Sequence, residues 1–218
     1  MGRDWDEGGC TKLKNSYQWY HLSEEILAND LHICHSESML PVIPVHTTIP
    51  TVPFYSQFVD IHSSSWQKVG CGITSLAMVI DYYSKETISV DVLLKQGLAS
   101  GAYNKTYGWI HKDLITLSKE YGLEGNSYDL STLGKDPSFI KLESFLADGP
   151  VIASVHYKFD PKSTIPHLVV LDGIQDGFVY YNDPAGKIGQ KKISILDFQK
   201  AWKKKFIVIR PIESSPSV

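Results

Sequence analysis

A cysteine between two glycines is the residue of this sequence best suited to covalent chemistry. Cys71 lies in the segment VGCGITSL and begins a predicted helix. Unpaired backbone amides and the positive end of the helix dipole stabilise a thiolate there, and the flanking glycines are expected to leave the sulfur open. Because a cysteine is as often a small buried apolar residue, the position alone predicts a packing role equally well.

A thiolate nucleophile needs a base, and the base needs a group that orients it. His167 opens the apolar segment HLVVLDGI and Asp183 closes the segment FVYYND, and both segments are predicted strands. A three-residue loop with Gly173 opposite Gly177 would set His167 directly opposite Asp183. Since Cβ atoms of opposed residues lie about 4.5–5.5 Å apart, this register predicts contact between imidazole and carboxylate.

A different turn competes with that register. A two-residue type I′ turn at Asp176-Gly177 is the stronger local signal. It would place Asp183 opposite Val170, on the other face of the sheet from His167. The catalytic hypothesis therefore requires the three-residue loop, or a longer loop of the same parity.

The elements that must position these side chains follow from hydrophobic periodicity. Apolar residues at positions 73, 76, 77, 80 and 83 predict a central helix over 71–83. Further helices are predicted over 90–99, capped by Ser89, over 109–121, ended by Gly122, over 139–147, capped by Ser138, and over about 195–203. Strands are predicted over 151–156, 167–174, 178–183, 191–195 and 206–209. Helices first and antiparallel strands second predict an α+β domain.

Proline density divides the chain. Four prolines in residues 39–54 predict an extended connector. The predicted organisation is an N-terminal arm over 1–38 with a helix near 23–32, a connector over 39–51, the main domain over 52–212 and a disordered tail over 213–218.

The composition of the chain limits the classes of partner that are expected. The 218 residues carry 21 Lys plus Arg against 24 Asp plus Glu, a net charge of −3, so no general attraction to nucleic acid is expected. The apolar runs are too short for a membrane span. Residues 1–20 lack an apolar signal segment, which predicts a cytoplasmic protein unless a signal segment is missing. Three cysteines do not form a disulfide scaffold.

The other clusters of polar residues are interpreted without a catalytic role. His32, Cys34 and His35 could suggest zinc, but their H-x-C-H spacing lacks the usual gaps, so neither metal nor cofactor is expected. His111 is expected to pack or to form a cleft wall. The lysine run at 203–205 is interpreted as a solvated face or as charge at the C-terminal end of a helix.

Five segments together resemble the C39-like cysteine peptidases, which have a papain-like fold. They are VPFYSQ at 52–57, GCGITSLAMVIDYY at 70–83, YGWIHKDLITLSKEYGL at 107–123, PHLVVLDGI at 166–174 and VYYNDPA at 179–185. The resemblance covers residues from about 52 to 210. Each segment alone is a weak signal, whereas the combination is specific.

The resemblance implies roles for four residues. Cys71 would be the nucleophile, His167 the base, Asp183 the orienting carboxylate, and Gln57 a donor to the oxyanion. Cys71 follows 14 positions after Gln57, a longer gap than in the leader-peptidase branch of the family, and Gln67 is the competing donor. Gln57 is favoured because a distant segment can arch over the start of the helix.

The implied activity is hydrolysis of a peptide or related amide bond through a thioester. One alternative is an acyltransferase that forms an amide with the same triad. The other is a non-catalytic peptide-binding module on the same fold. A peptide or peptide-like partner is expected in each case, and the oligomeric state stays open.

Overall fold

The computed structural model describes residues 49–212. The predicted N-terminal arm, most of the connector and the predicted tail lie outside the described residues. So do the helix expected near 23–32 and the candidate zinc ligands His32, Cys34 and His35.

The helices lie mostly in the first half of the described chain. The central helix is α2, and nine of its residues in succession, 72–80, are buried. The helices are α1 (Ser64–Gln67), α2 (Cys71–Ser84), α3 (Val90–Ala99), α4 (His111–Ser118), α5 (Lys135–Leu146) and α6 (Ile195–Ala201). Short 3₁₀ turns cover Lys119–Tyr121 and Tyr157–Phe159.

The strands form one antiparallel sheet and a small separate hairpin. The strands are β1 (Tyr103–Asn104), β2 (Gly108–Trp109), β3 (Leu123–Asp129), β4 (Val151–His156), β5 (Pro166–Gln175), β6 (Phe178–Asn182), β7 (Lys191–Ser194) and β8 (Trp202–Pro211). β1 pairs with β2, and the other six strands are ordered β3-β8-β4-β5-β6-β7. The predicted α+β class is confirmed.

Apolar side chains cover both faces of the sheet. On one face, α2 and α3 pack their buried side chains, such as Leu76 and Leu93, against Leu168 and Ile207. On the other face, α5 and α6 supply residues such as Leu142 to a second cluster. Burial of each such side chain contributes roughly 1.5–3 kcal/mol, so the layers fix the strand ends that carry the polar residues.

Two predicted helix starts are wrong. The helix predicted from 109 begins at His111 because Trp109 lies in β2, where its indole Nε1 donates to the Val69 carbonyl at 2.6 Å. The helix predicted to be capped by Ser138 already begins at Lys135. Ser138 instead donates to the Gly134 carbonyl at 2.7 Å.

The sequence pattern did not reveal β3. Its sequence, LEGNSYD, has little of the β-branched and aromatic content that predicts a strand. The strand forms because its backbone pairs along its whole length with β8. A side chain at Gly125 would collide with the backbone of Val208, so the glycine permits this close pairing.

Candidate active site

Cys71 is the first residue of α2, as predicted, and is partly exposed. No side chain within residues 49–212 caps the start of this helix, and its first turn holds no acidic residue, so among these residues its amides stay available to an anion. The flanking glycines serve packing as well as access. A side chain at Gly70 would overlap Ile61, and one at Gly72 would lie 2.6 Å from Trp109.

The hairpin between β5 and β6 has the two-residue turn, so the predicted three-residue loop is wrong. Asp176 and Gly177 have φ values of 51° and 79°, as a type I′ turn requires. The strands nevertheless change register farther along, where Gly173 faces Tyr180 but Leu171 faces Tyr181.

Asp172 is the extra residue of this β-bulge. Beyond it Val170 faces Asn182, whereas continuation of the turn register would have set Asp183 opposite Val170. Beyond the bulge the pairing of β6 with β5 is therefore shifted by one residue. The two-residue turn and the bulge together place Asp183 on the same face of the sheet as His167. The three-residue loop would have had the same result.

His167 and Asp183 are in direct contact. His167 Nε2 donates to Asp183 Oδ1 at 2.7 Å, and the same oxygen accepts from the Ala185 backbone at 2.9 Å. The imidazole is 4% exposed, and Tyr157 packs edge-on against it with ring centroids 5.3 Å apart. These contacts hold the ring in one orientation.

The ring of His167 also lies in the same cleft as Cys71, close enough for the thiol to influence its pKa. Burial lowers the pKa of His167, but the hydrogen bond to Asp183, the neighbouring Cys71 thiol and the charges of both groups outweigh it and raise the pKa to about 9. Burial raises the pKa of Asp183, yet the hydrogen bond and charge of His167 bring it below its usual value. The raised pKa favours the protonated imidazole at neutral pH.

Gln57 and Gln67 have different surroundings. The Gln57 side chain is 3% exposed and lines the cleft beside Cys71, and its Nε2 donates to the Gln67 carbonyl at 2.6 Å. A carbonyl can only accept, so this contact fixes which end of the Gln57 amide is the donor. The Gln67 side chain instead donates to the Phe58 carbonyl at 3.2 Å and the Ile61 carbonyl at 2.8 Å.

A cleft of about 790 Å³ opens at these residues. Its walls include Cys71, His167, Gln57, Trp109 and Tyr157. His111 also lines it, in one of the two roles expected from the sequence.

Two features are missing from the described part of the chain. Residues 49–212 hold no group of three His, Cys, Asp or Glu side chains that could bind a metal ion. No helix among them has the length and apolar character needed to cross a membrane.

The sequence pattern did not reveal the role of Asp172 and Asn182. Asn182 Nδ2 donates to both carboxylate oxygens of Asp172, at 3.0 and 2.9 Å, and both residues are buried. The available signal was an acidic residue at the end of the apolar run HLVVL, where a buried strand rarely carries one.

Solved structures of peptidase domains share this fold. A double glycine motif protease from an AMS/PCAT transporter, solved in complex with the leader peptide, is 23% identical with a TM-score of 0.53, and the match covers 77% of this chain and 97% of that one. A C39-like peptidase from Bacillus anthracis is 22% identical with a TM-score of 0.52, covering 75% and 96%. The papain-like α+β fold predicted from the sequence is confirmed.

The family comparison covers most of the chain. A search of curated proteins found no match. Residues 49–206 match the model of the Peptidase_C39 like family, and the chain belongs to this family of cysteine peptidases, which confirms the resemblance seen in the five sequence segments.

Proposed function

We propose that this protein is a cysteine peptidase that hydrolyses a peptide or related amide bond through a thioester. The observation that carries the proposal is the position of His167, which forms a hydrogen bond with Asp183 and lines the same cleft as Cys71. A nucleophile, a base and the group that orients the base are thus gathered at one cleft, as this chemistry requires. A module that only binds peptides has no need of a buried, protonated imidazole at its cysteine.

The first half of the reaction forms the acyl-enzyme. Cys71 Sγ attacks the substrate carbonyl, and the protonated His167 donates its proton to the leaving amine. Asp183 holds the imidazole in position and stabilises its charge, as the carboxylate does in a serine triad.

The second half consumes the thioester. His167, now neutral, accepts a proton from water as the water attacks the thioester carbonyl, and Cys71 leaves as a thiolate. An amine in place of water would give the acyltransferase, since the same groups serve both steps.

Gln57 is proposed as the donor to the oxyanion, together with the backbone N–H of Cys71. One Nε2 hydrogen of Gln57 is used by the Gln67 carbonyl, and the other has no acceptor among the described residues. A donor of this kind stabilises the transition state by about 3 kcal/mol. The side chain of Gln67 is engaged with two loop carbonyls, which makes it the weaker candidate.

A peptide is the proposed occupant of the cleft. The related double glycine motif protease was solved with its leader peptide, which supports a peptide as substrate here. The cleft is large enough for several residues of an extended chain, and Trp109 and Tyr157 give it apolar walls.

Labelling with a peptide that carries a thiol-reactive electrophile tests the proposal. Mass-spectrometric mapping is expected to find the label on Cys71, with Cys10 and Cys34 as internal controls. Hydrolysis of a peptide library should disappear in Cys71→Ala and in His167→Ala. Label on Cys71 without hydrolysis of any peptide, and without aminolysis by added amines, would overturn the catalytic role.

A further inference from the structure

The cleft has a charge opposite to that of the chain. The whole sequence has a net charge of −3. The residues that line the cleft nevertheless include Lys68, Lys105, Lys203 and Lys205, and none of the described lining residues is Asp or Glu. A cleft that concentrates one sign of charge attracts ligands of the other sign.

A distortion in β8 brings two of these lysines together. Ser154 of β4 faces Lys205, but the next residue, Val155, faces Trp202, so 203 and 204 are extra residues in β8. Lys204 has a left-handed backbone with φ of 56°. Irregularities of this kind redirect side chains near functional sites.

The outcome of this distortion is that Lys203 and Lys205 both line the cleft. The side chain of Lys204 points elsewhere and donates to the Leu133 carbonyl at 2.8 Å. The lysine run at 203–205 is therefore divided between the cleft and the loop at Leu133.

One of the two cleft lysines has no carboxylate partner. Lys205 pairs with Asp129 at 2.9 Å, whereas Lys203 forms no ion pair with any described residue. Partial burial and the charge of Lys205 both lower the pKa of Lys203, and the same two causes lower the pKa of His111. Lys203 thus lies beside a second lysine and has no carboxylate partner of its own among the described residues.

We propose that Lys203, supported by Lys205 and His111, binds a carboxylate of the peptide substrate, so that the cleft selects acidic peptides. The inference rests on the proposed function, because the occupant is the peptide that Cys71 attacks. A carboxylate is the anion that a peptide offers, either on an Asp or Glu side chain or at its C terminus. A charge-assisted hydrogen bond in a half-buried cleft discriminates strongly against a neutral isostere.

Matched peptides test the preference. The probe is a peptide library in which each position in turn is Glu, Gln or Lys, prepared with free and with amidated C termini. We expect kcat/KM to favour Glu over Gln at one position, or a free over an amidated terminus, by about tenfold. The two arms distinguish a side-chain carboxylate from the terminal one. The preference should weaken as salt is added.

Variants assign the preference to Lys203. Lys203→Ala should abolish it, and Lys203→Arg should retain it. Lys192→Ala is the matched control, because it removes the same charge from a lysine that lies over the Phe178 ring outside the cleft. Equal cleavage of all charge classes, or an unchanged preference in Lys203→Ala, would overturn the inference.

A binding measurement separates this inference from the proposed function. Fluorescence anisotropy with Cys71→Ala and a labelled Glu-rich peptide reports binding without turnover. Binding by Cys71→Ala that depends on Lys203, together with no cleavage of any peptide by the wild-type protein, would contradict the peptidase proposal and support the carboxylate site. Cleavage without any charge preference would support the peptidase proposal and contradict the carboxylate site.

Discussion

The carboxylate of Asp172 accepts two hydrogen bonds from the side-chain amide of Asn182, at 3.0 and 2.9 Å, across the bulge between β5 and β6. Asn182 Oδ1 in turn accepts from the Gln190 backbone at 2.8 Å. Asn182 directly precedes Asp183, so this buried pair fixes the register that brings Asp183 to His167. We therefore expect Asp172 to act as a positioning residue through Asp183.

Loss of the Asp172 side chain should reduce turnover without removal of any proposed catalytic group. Asp172→Ala leaves the buried amide of Asn182 without its acceptor, which costs about 1–3 kcal/mol. We expect kcat to fall at least tenfold at a temperature where circular dichroism shows the variant folded. Asp172→Asn retains an acceptor oxygen and should restore most of the activity. Equal kcat for wild type and Asp172→Ala would contradict the positioning role.

The same residue has a predicted effect on pH stability. Burial raises the pKa of Asp172 to about 7, against the opposing effect of the Asn182 hydrogen bonds. Since the folded state holds this proton more tightly than the unfolded state, ionisation destabilises the fold as pH rises from about 4 to 7. Asp172→Asn does not ionise, so its free energy of unfolding relative to wild type should increase over that range. Urea unfolding at pH 4, 5.5 and 7 measures this difference.

Selective alkylation tests the pairing of Cys71 with His167. At pH 6 an ordinary thiol is almost wholly protonated, whereas a thiol that faces an imidazolium can react as the thiolate. We expect iodoacetamide to label Cys71 at least tenfold faster than Cys10 or Cys34. His167→Ala should remove this advantage. Labelling of Cys71 at the rate of Cys34 would instead indicate a packed core cysteine.

The helix that carries Cys71 was predictable because its signal is local. Its apolar spacing identified a central helix, and the structure buries residues 72–80 in succession. The strand β3 was not predictable in this way, because its pairing with β8 satisfies backbone groups and leaves little trace in the side chains.

The contact between His167 and Asp183 shows more clearly what a local sequence pattern cannot predict. The turn at Asp176 was identified correctly as the stronger signal, yet it pointed to the wrong face for Asp183. A one-residue bulge reverses the face of every residue beyond it, and the buried contact that holds this bulge, between Asp172 and Asn182, joins two separate strands. No local pattern reports such a contact.

The alkaline limit of activity should follow the charge of Asp183. The imidazolium of His167, with a pKa raised to about 9, is present below that pH and lost above it. We expect kcat/KM to decline above about pH 9, since the leaving amine then receives no proton. Asp183→Asn keeps an acceptor oxygen but removes the charge, so the decline should move to lower pH. A pH–rate profile whose alkaline limb is identical in the two proteins would exclude this role.

The pair of His167 and Asp183 should also stabilise the fold within a defined pH window. A raised histidine pKa contributes stability that is complete below about 6.5 and is lost as pH rises through about 9. The lowered pKa of Asp183 contributes stability that is lost as pH falls below its usual range. The difference in unfolding free energy between wild type and Asp183→Asn should therefore be largest near pH 5–6. Chemical unfolding at pH 3, 5.5 and 9.5 checks this window.

Gln57→Ala separates oxyanion stabilisation from nucleophile activation. Acylation by a peptide ester should slow by roughly a hundredfold, because one donor to the oxyanion is lost. Alkylation of Cys71 by iodoacetamide should be unaffected, because this reaction forms no oxyanion. Gln67→Ala is the control, since it keeps the backbone carbonyl that holds Gln57 and removes only the side-chain contacts to Phe58 and Ile61. Its acylation rate should stay within a few-fold of wild type even if its melting temperature falls. The opposite pattern, slow acylation in Gln67→Ala and normal acylation in Gln57→Ala, would transfer the oxyanion role to Gln67.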